Sequence, residues 1–490
     1  MQTSLLAWKR IRLDEPSKGD DARASMRAGV SVELAPLGQQ RLRALQERLR
    51  FKPRSGFIRN ETPEPILAYR LTETSITVPR CTRLEGMHLE DNLCDGKPMA
   101  PDAVFVGVVQ RHQEEPIVKS LACLNAKPWC CILTLPCGFG KTVVALNLAC
   151  ALGRKTIVVV HKTFLMEQWS DRISSFVPGA RIGRLQGKVI DVEDKDVVVA
   201  TVQSLSLCDY GCSVLDDFGT VIIDEAHHMA ARMFSEIFFR LPARYLLGLT
   251  ATPDRKDGCG SLLNLYMGPF SFLQQSRPGD ERVAVARVLA GTCTPSLAGD
   301  VDNAMVQRLK SRLVKDERRN LQILEWCRAL TYDHGRCVLV LSHRVKHLHL
   351  LLARYQGAGE LEGCLFVGGQ KKKDRVAAEQ SARCIFGTFA MAAEGLDISR
   401  VDTLILAMPQ SDVVQSVGRI LRPGENKKTP LVVDLLDSHC QIFKIMNQTR
   451  QNFFRAQEYE MRDFEMPPPV GDQHGWSFIR DGAPVIRIIT

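Results

Sequence analysis

The pattern of apolar and polar positions divides the 490-residue chain into two stretches of one kind and two of another. From about Pro101 to Phe272, short β-branched runs alternate with helix-length apolar patterns. The runs Cys131–Leu135, Thr156–Val160, Val197–Thr201, Val221–Ile223 and Tyr245–Leu249 predict strands; Thr142–Leu152 and Phe164–Phe176 predict helices between them. From about Val314 to Met461 the alternation returns. Strands are predicted there at Val338–Leu341, Cys364–Val367, Arg383–Gly387, Thr403–Ala407 and Leu431–Leu435. Runs such as Ile157-Val158-Val159-Val160 are apolar at every position, as strands are when helices cover both faces of a parallel sheet. The expected fold is α/β, with two tandem parallel-sheet domains.

Residues 1–100 read differently. They mix Pro, Arg and Glu and alternate only weakly near Ile76–Val78, which predicts an N-terminal accessory domain behind a loose arm. The expected boundaries are 1–100 for arm and accessory domain, 101–272 for the first α/β domain, 273–312 for a linker or small insert, 313–465 for the second domain, and 466–490 for a tail. No short-period repeat and no low-complexity tract interrupts this plan.

Composition narrows the class. The chain is 45% hydrophobic and no run approaches the ~18 apolar residues of a membrane span. Leu5-Leu6-Ala7-Trp8 is followed at once by Lys9, Arg10 and Arg12, which is no signal-peptide core. A soluble intracellular protein without a membrane partner is expected. The sixteen cysteines form no paired CxxC, and Cys131, Cys337 and Cys384 sit in apolar runs, where a thiol packs as a small hydrophobe. His343 and His347 have helical spacing but lack the glutamate of HExxH, and read as surface or packing residues. The net charge is +9, and residues 1–60 hold 13 Lys/Arg against 6 Asp/Glu, so 13 − 6 = +7 lies there. Such an arm is either an electrostatic footprint for a phosphate backbone or a solvated tail.

The chemistry is concentrated after two predicted strands. Cys131–Leu135 leads into Pro136-Cys137-Gly138-Phe139-Gly140-Lys141-Thr142, and an apolar helix pattern follows. A glycine-bearing turn points backbone N–H groups into one concavity, and the helix N-terminus adds its dipole, so phosphate oxygens are cradled. Lys141 then reaches β and γ phosphates, and Thr142 can ligate Mg²⁺. Leu135 stands where GxxxxGK[ST] has its first glycine, and Gly138 sits inside the loop instead. About eighty residues on, Asp224-Glu225-Ala226-His227 closes the run Val221-Ile222-Ile223. Two acids at the carboxyl end of a buried strand are costly unless they serve a cation or a proton. Asp224 is the expected Mg²⁺-shell ligand, and Glu225 the residue that orients and deprotonates a water.

This ordered set resembles the superfamily 2 helicases. Within them it resembles the group like the XPB transcription-repair helicase and the related helicases of large DNA viruses. Arg111-His112-Gln113 is similar to an adenine-recognition RxYQ, with His112 in place of tyrosine. Val159-Val160-His161-Lys162 with Leu165, Gln168 and Trp169 is similar to motif Ia, and Thr201-Val202-Gln203-Ser204-Leu205 to a TxQSL segment facing nucleic acid. Leu249-Thr250-Ala251-Thr252-Pro253 resembles motif III, followed by Arg255-Lys256-Asp257-Gly258 at the position of a charged DNA-contacting element. Val338–Leu341 with His343 to His347 resembles motif IV, Thr388 with Glu394-Gly395-Leu396-Asp397-Ile398 resembles motif V, and Gln415 to Arg422 matches QxxGRxxR, motif VI. The likeness spans about residues 101–455.

The resemblance implies two RecA-like domains with ATP and Mg²⁺ between them. Catalysis would fall to Lys141, Asp224, Glu225, Gln415, Arg419 and Arg422. ATP would be held by Arg111, Gln113, residues Pro136 to Thr142, Gly395 and Asp397, and Mg²⁺ by Thr142 and Asp224. Lys162, Thr201, Gln203, Arg255 and Thr388 would touch nucleic acid, most simply its phosphates. DNA is the implied substrate, with RNA as the alternative, 3′-to-5′ the implied polarity, and transcription or replication machinery the implied company. For a viral chain the setting would be the infected cell or the virion. Two rival readings share these motifs: a duplex translocase that displaces proteins without separating strands, and an ATP-gated binding module. A metal nuclease is disfavoured, because no acid cluster lies outside the motor motifs.

Overall fold

A computed structural model describes residues 23–53, 64–84, 87–136, 138–230, 234–251, 260–274, 283–290, 303–357, 362–368, 370, 382–394, 398–421, 427–438, 440–465 and 467. The chain divides into two compact units, one of Met1–Pro136 and Gly140–Gln275, the other of Cys137–Phe139 and Ser276–Thr490.

The first unit is built on an eight-stranded sheet. Its order is Val189–Asp191, Ile182–Gln186, Val197–Thr201, Thr156–Val160, Thr220–Ile223, Tyr245–Thr250, Cys130–Thr134 and Phe270–Leu273. All neighbours run parallel except the Val189–Asp191 edge. The all-apolar runs are its central strands, buried at every position, as the two-sided covering of a parallel sheet requires. Each predicted strand lies within one residue of its expected ends. The peripheral strand Ile182–Gln186 and the edge strand Phe270–Leu273 carry half-exposed residues and gave no such run. Helix Lys141–Leu152 is apolar around much of its circumference and ends at Gly153 in the left-handed region, φ 63°, whose N–H bonds back to Ala149 and Cys150 carbonyls.

The accessory sheet belongs to this same unit. Its order is Arg70–Leu71, Ser75–Val78, Val30–Glu33, Arg23–Met26 and His88–Asp91. Ala24, Met26, Val30, Val32, Ile76 and Val78 are buried in one apolar cluster with Cys130, Ile132 and Leu246 of the larger sheet and with Phe218 and Tyr266 beside it. The basic arm is therefore not loose beyond Arg23, where strand already begins. Arg80 locks the junction. Its buried guanidinium donates to the carbonyls of Ala243 (2.8 Å), Arg244 (3.1 Å) and Leu241 (3.4 Å), and burial holds its pKa below the usual arginine value.

The second unit has seven strands, all parallel: Gly363–Phe366, Cys384–Thr388, Val338–Ser342, Thr403–Leu406, Leu431–Leu436, Ala284–Leu289 and Glu460–Phe464. This corrects the expected linker over 273–312. Within it, Ala284–Leu289 is an integral strand and Asn303–Val314 a helix. Arg287 broke the apolar run in the sequence, but it lies on a face where it pairs with Asp463 of the neighbouring strand at 2.8 Å.

At the carboxyl edge of this sheet two arginines are buried whole. Arg319 bonds both oxygens of Asp437 (2.9 and 3.0 Å) and the Ala407 carbonyl (2.6 Å). Arg450 bonds Asp434 (2.8 Å), the Gln410 carbonyl (2.6 Å) and Asn447 (2.8 Å). Together they fix residues 407–410, which lead into helix Val414–Ile420. Breaking one such buried pair costs about 3–5 kcal/mol, because the remaining charge is stranded.

Candidate active site and nucleic-acid interface

Strand Cys130–Thr134 delivers the chain to a turn in which Gly138 (φ 76°) and Gly140 (φ 90°) both adopt left-handed backbone. A side chain at Gly140 would also run into the Gln113 amide, so conformation and space both demand glycine there. Gln113 is 4% exposed and lies in the first turn of helix Arg111–Leu124. Its Oε1 accepts the Gln110 N–H at 3.0 Å, which aims the amide at the loop. Arg111 is exposed beside it. Pro136, Gly138 and Thr142 are half-buried and Phe139 is buried. Lys141 Nζ donates to the Leu135 carbonyl at 3.3 Å, so the ammonium folds over the loop it follows. Cys137 lies outside the described residues.

Asp224 and Glu225 follow strand Thr220–Ile223, which is separated from the strand feeding the loop by Tyr245–Thr250 alone. Trp169 Nε1, from helix Thr163–Phe176, donates to Asp224 Oδ2 at 2.9 Å, and the Glu225 N–H to Asp224 Oδ1 at 3.0 Å. Burial, and then the charge of Glu225, push the Asp224 carboxyl up; the Trp169 bond and the Lys141 ammonium pull it back. Glu225 sits at φ 47°, an uncommon conformation for a residue with a side chain, and its Oε2 is buried with no hydrogen-bond partner. His227 Nδ1 stands 3.4 Å from that oxygen and 3.1 Å from Thr250 Oγ1. The rings of His227 and His161 both pack, tilted, against that of His228, with centroids 4.2 and 4.5 Å apart.

The nucleic-acid candidates are placed as follows. Lys162 is the half-buried N-cap residue of helix Thr163–Phe176. Thr201 caps helix Val202–Leu207 and is only 4% exposed; its hydroxyl is 2.7 Å from Ser204 Oγ. That hydroxyl is used internally, whereas the exposed Gln203 donates to the His161 carbonyl at 2.8 Å. In the second unit, Thr388 Oγ1 accepts the Met391 N–H at 3.3 Å. Gln415 is half-buried, and Arg419 is buried with Nε donating to the Ala392 carbonyl at 2.6 Å. Arg255, Gly395, Asp397 and Arg422 lie outside the described residues.

The structure thus gathers Gln113, Gly140, Lys141, Asp224 and Glu225 within the first unit. Sequence reasoning missed the couplings around them. Trp169 was legible as a motif residue, but its bond to Asp224 was not. The His227–Thr250 contact, linking the two acids to the end of the next strand, had no signal beyond the DEAH run itself.

Comparison with known proteins agrees with this geometry. Residues 108–255 match the family of the type III restriction enzyme res subunit. A protein named as an ATP-dependent RNA helicase of Acanthamoeba polyphaga mimivirus is 33% identical over 374 residues, covering 74% of this chain and 70% of its own length. One named as a helicase of Escherichia phage T5 is 26% identical over 371 residues, covering 74% of this chain and 79% of its own. The fold is that of the S. cerevisiae Dbp5 structure with RNA and ADP BeF3, at TM-score 0.52 and 13% identity, over 75% of this chain and 94% of that one. Two tandem RecA-like domains account for both sheets.

Proposed function

The chain belongs to the superfamily 2 helicases and hydrolyses ATP, and from that premise we propose a DNA-directed motor of the DEAH type and the XPB-like group, moving 3′ to 5′. One observation carries the catalytic part. Lys141, Asp224 and an unpartnered Glu225 oxygen meet after the carboxyl ends of strands in one parallel sheet. In this reading Lys141 and the loop N–H groups from Pro136 to Thr142 hold the phosphates. The adenine lies against Arg111 and Gln113. Glu225 Oε2, buried without a hydrogen-bond partner, takes the proton of the attacking water. Burial and the like charge of Glu225 push Asp224 up more than Trp169 and the Lys141 ammonium pull it back, and two close carboxylates are a donor set that suits a divalent cation. Thr142 and Asp224 would hold Mg²⁺, which when bound neutralises charge on the phosphate oxygens.

We assign the second RecA-like domain the remaining roles, on the strength of the motif match. Arg419 and Arg422 stabilise the charge that develops on the γ-phosphate, Gln415 lies beside them, and Gly395 and Asp397 complete nucleotide binding. Lys162, Gln203, Arg255, Thr388 and the backbone at Thr201 hold the nucleic-acid strand by its phosphates. The preference for DNA, the polarity, and a role beside transcription or replication machinery rest on the resemblance to the XPB-like group. The competing reading is RNA, since the mimivirus relative is named for it.

Strand displacement on 3′-tailed and 5′-tailed duplexes of DNA, RNA and hybrid, with ATP, tests the proposal. The expected result is displacement of the 3′-tailed DNA. Displacement of RNA alone, or of 5′-tailed substrates alone, contradicts it. ATP-dependent removal of a bound protein without strand separation would establish the duplex translocase instead.

A further inference from the structure

Two histidines beside the acid pair are left unused by the motor assignments. His228 is half-buried in the turn Ala226–Ala230, one residue beyond the DEAH run. His161 is only 7% exposed and follows strand Thr156–Val160. That strand runs parallel to Thr220–Ile223, with Val159 opposite Ile223, so His161 stands at the same carboxyl edge as Asp224 and Glu225. The Asp224 N–H donates to the Val159 carbonyl at 3.0 Å and ties the two strand ends together. The His228 N–H donates to the Glu225 carbonyl at 2.9 Å and closes the turn that begins at the left-handed Glu225.

The rings fill this corner in series. The His161 ring lies 4.5 Å from that of His228, and the His228 ring 4.2 Å from that of His227, tilted by 36° and 39°. At the inner end of the row, His227 Nδ1 is 3.4 Å from Glu225 Oε2 and 3.1 Å from Thr250 Oγ1. At the outer end, the His161 carbonyl accepts from Gln203 Nε2 at 2.8 Å, which holds the backbone there. A ring packed between neighbours keeps one rotamer, whereas an imidazole with open space on one face can turn away. His228 covers a face of His227, so the place of the His227 nitrogen depends on it. Glu225 Oε2 has no hydrogen bond that would fix its direction, which leaves His227 to do so.

We infer that His228, backed by His161, is a positioning residue for ATP hydrolysis: it holds His227 against Glu225 and Thr250, and through His227 it aims the Glu225 carboxylate at the attacking water. The inference rests on the reading of Glu225 as the proton acceptor and adds two residues to it. His228 acts by packing, so the site requires a ring there and not a proton. Misplacing a reacting group by about 1 Å costs ~10²-fold in rate. A gap in the row is therefore felt in kcat and not in ATP binding, which Lys141 and the phosphate loop supply.

The experiment measures ATP turnover and equilibrium ATP binding of the full chain for wild type, His228→Ala, His228→Phe and His161→Ala. Each variant is also made in a Glu225→Gln background, and thermal midpoints are taken alongside. His228→Ala should lower kcat about tenfold to a hundredfold with ATP affinity unchanged. His161→Ala should lower it less, and His228→Phe should recover most of the loss. In the Glu225→Gln background none of the three should slow turnover further, because a residue that acts through Glu225 has nothing left to position. A merely structural role would lower the midpoint and cut turnover by the same factor in both backgrounds, and that result overturns the inference. Wild-type kcat in His228→Ala overturns it too, as does a His228→Phe as slow as His228→Ala, which assigns the work to the ring nitrogens. Should His228→Ala fail to fold, His161→Ala decides by the same comparison of backgrounds: a loss confined to the Glu225 chain supports the row, and no loss or an equal loss in both overturns it. Wild-type turnover in Glu225→Gln would instead overturn the reading of Glu225 on which the inference rests.

Discussion

Glu225 holds a strained backbone angle and a carboxylate oxygen without a hydrogen-bond partner, next to an aspartate that is pinned from two sides. Strain persists where the surroundings over-determine it, and here Trp169, the Asp224–Glu225 turn and His227 do so. Glu225→Gln keeps the shape and removes the proton acceptor. We expect ATP binding within a few fold of wild type and turnover lower by ~10²–10⁴. Equilibrium nucleotide binding and steady-state phosphate release check this, and wild-type turnover would remove Glu225 from the chemistry. His347 shows a different use of a polar residue. It is buried on helix Val345–Gln356, between Ser342 Oγ (3.0 Å) and Asn320 Oδ1 (2.9 Å), and burial pushes its pKa down to about 3. The folded value lies below the unfolded ~6.5, so the unfolded chain takes up the proton first. The stability this histidine contributes is present above that pH and is lost as pH falls, by at most about 1.4 kcal/mol per unit. His347→Gln should be less stable at pH 7.5 yet lose less between pH 7.5 and 5.5. Urea midpoints at the two values decide it; equal losses would mean the ring carries its proton inside the fold.

At the scale of elements, the accessory sheet is structural as well as appended. Its inward residues share an apolar cluster with the first RecA-like sheet, and the Arg80 guanidinium spans the two through three carbonyls. A chain starting at residue 101 should therefore expose that face and precipitate or bind apolar dyes, rather than yield an active motor domain. A soluble, cooperatively unfolding truncation would show that the shared core is dispensable. The same sheet marks the limit of what the sequence showed. Central strands such as Thr156–Val160 were legible because burial on both faces requires apolar residues at every position. The accessory strands are two to four residues long, and those with a buried face alternate over four residues at most, so Val30–Glu33 and Arg23–Met26 left too short an alternation to read. Ala284–Leu289 was hidden by Arg287, whose partner Asp463 lies 176 residues away in sequence. The loop and the two acids were legible from spacing, and Gln113 only through the family resemblance. Trp169 on Asp224, and the arginines that brace residues 407–410, depend on tertiary contacts that no local pattern encodes.

At the scale of the whole molecule, hydrolysis in the first unit has to answer to nucleic acid for the chain to be a motor rather than an ATP-gated binder. The groups assigned to that coupling are spread over both units: Lys162 and Gln203 in the first, Thr388 and Arg419 of helix Val414–Ile420 in the second. The most direct measurement is steady-state ATP turnover of the full chain titrated with single-stranded DNA, run beside Lys141→Ala and Arg419→Ala. The account predicts that DNA raises wild-type turnover at least about tenfold, a gain of ~1.4 kcal/mol in barrier. Lys141→Ala should be inactive with and without DNA, and Arg419→Ala should bind ATP but lose the DNA response. Turnover that is indifferent to DNA and RNA alike, or a DNA response that survives intact in Arg419→Ala, would contradict it.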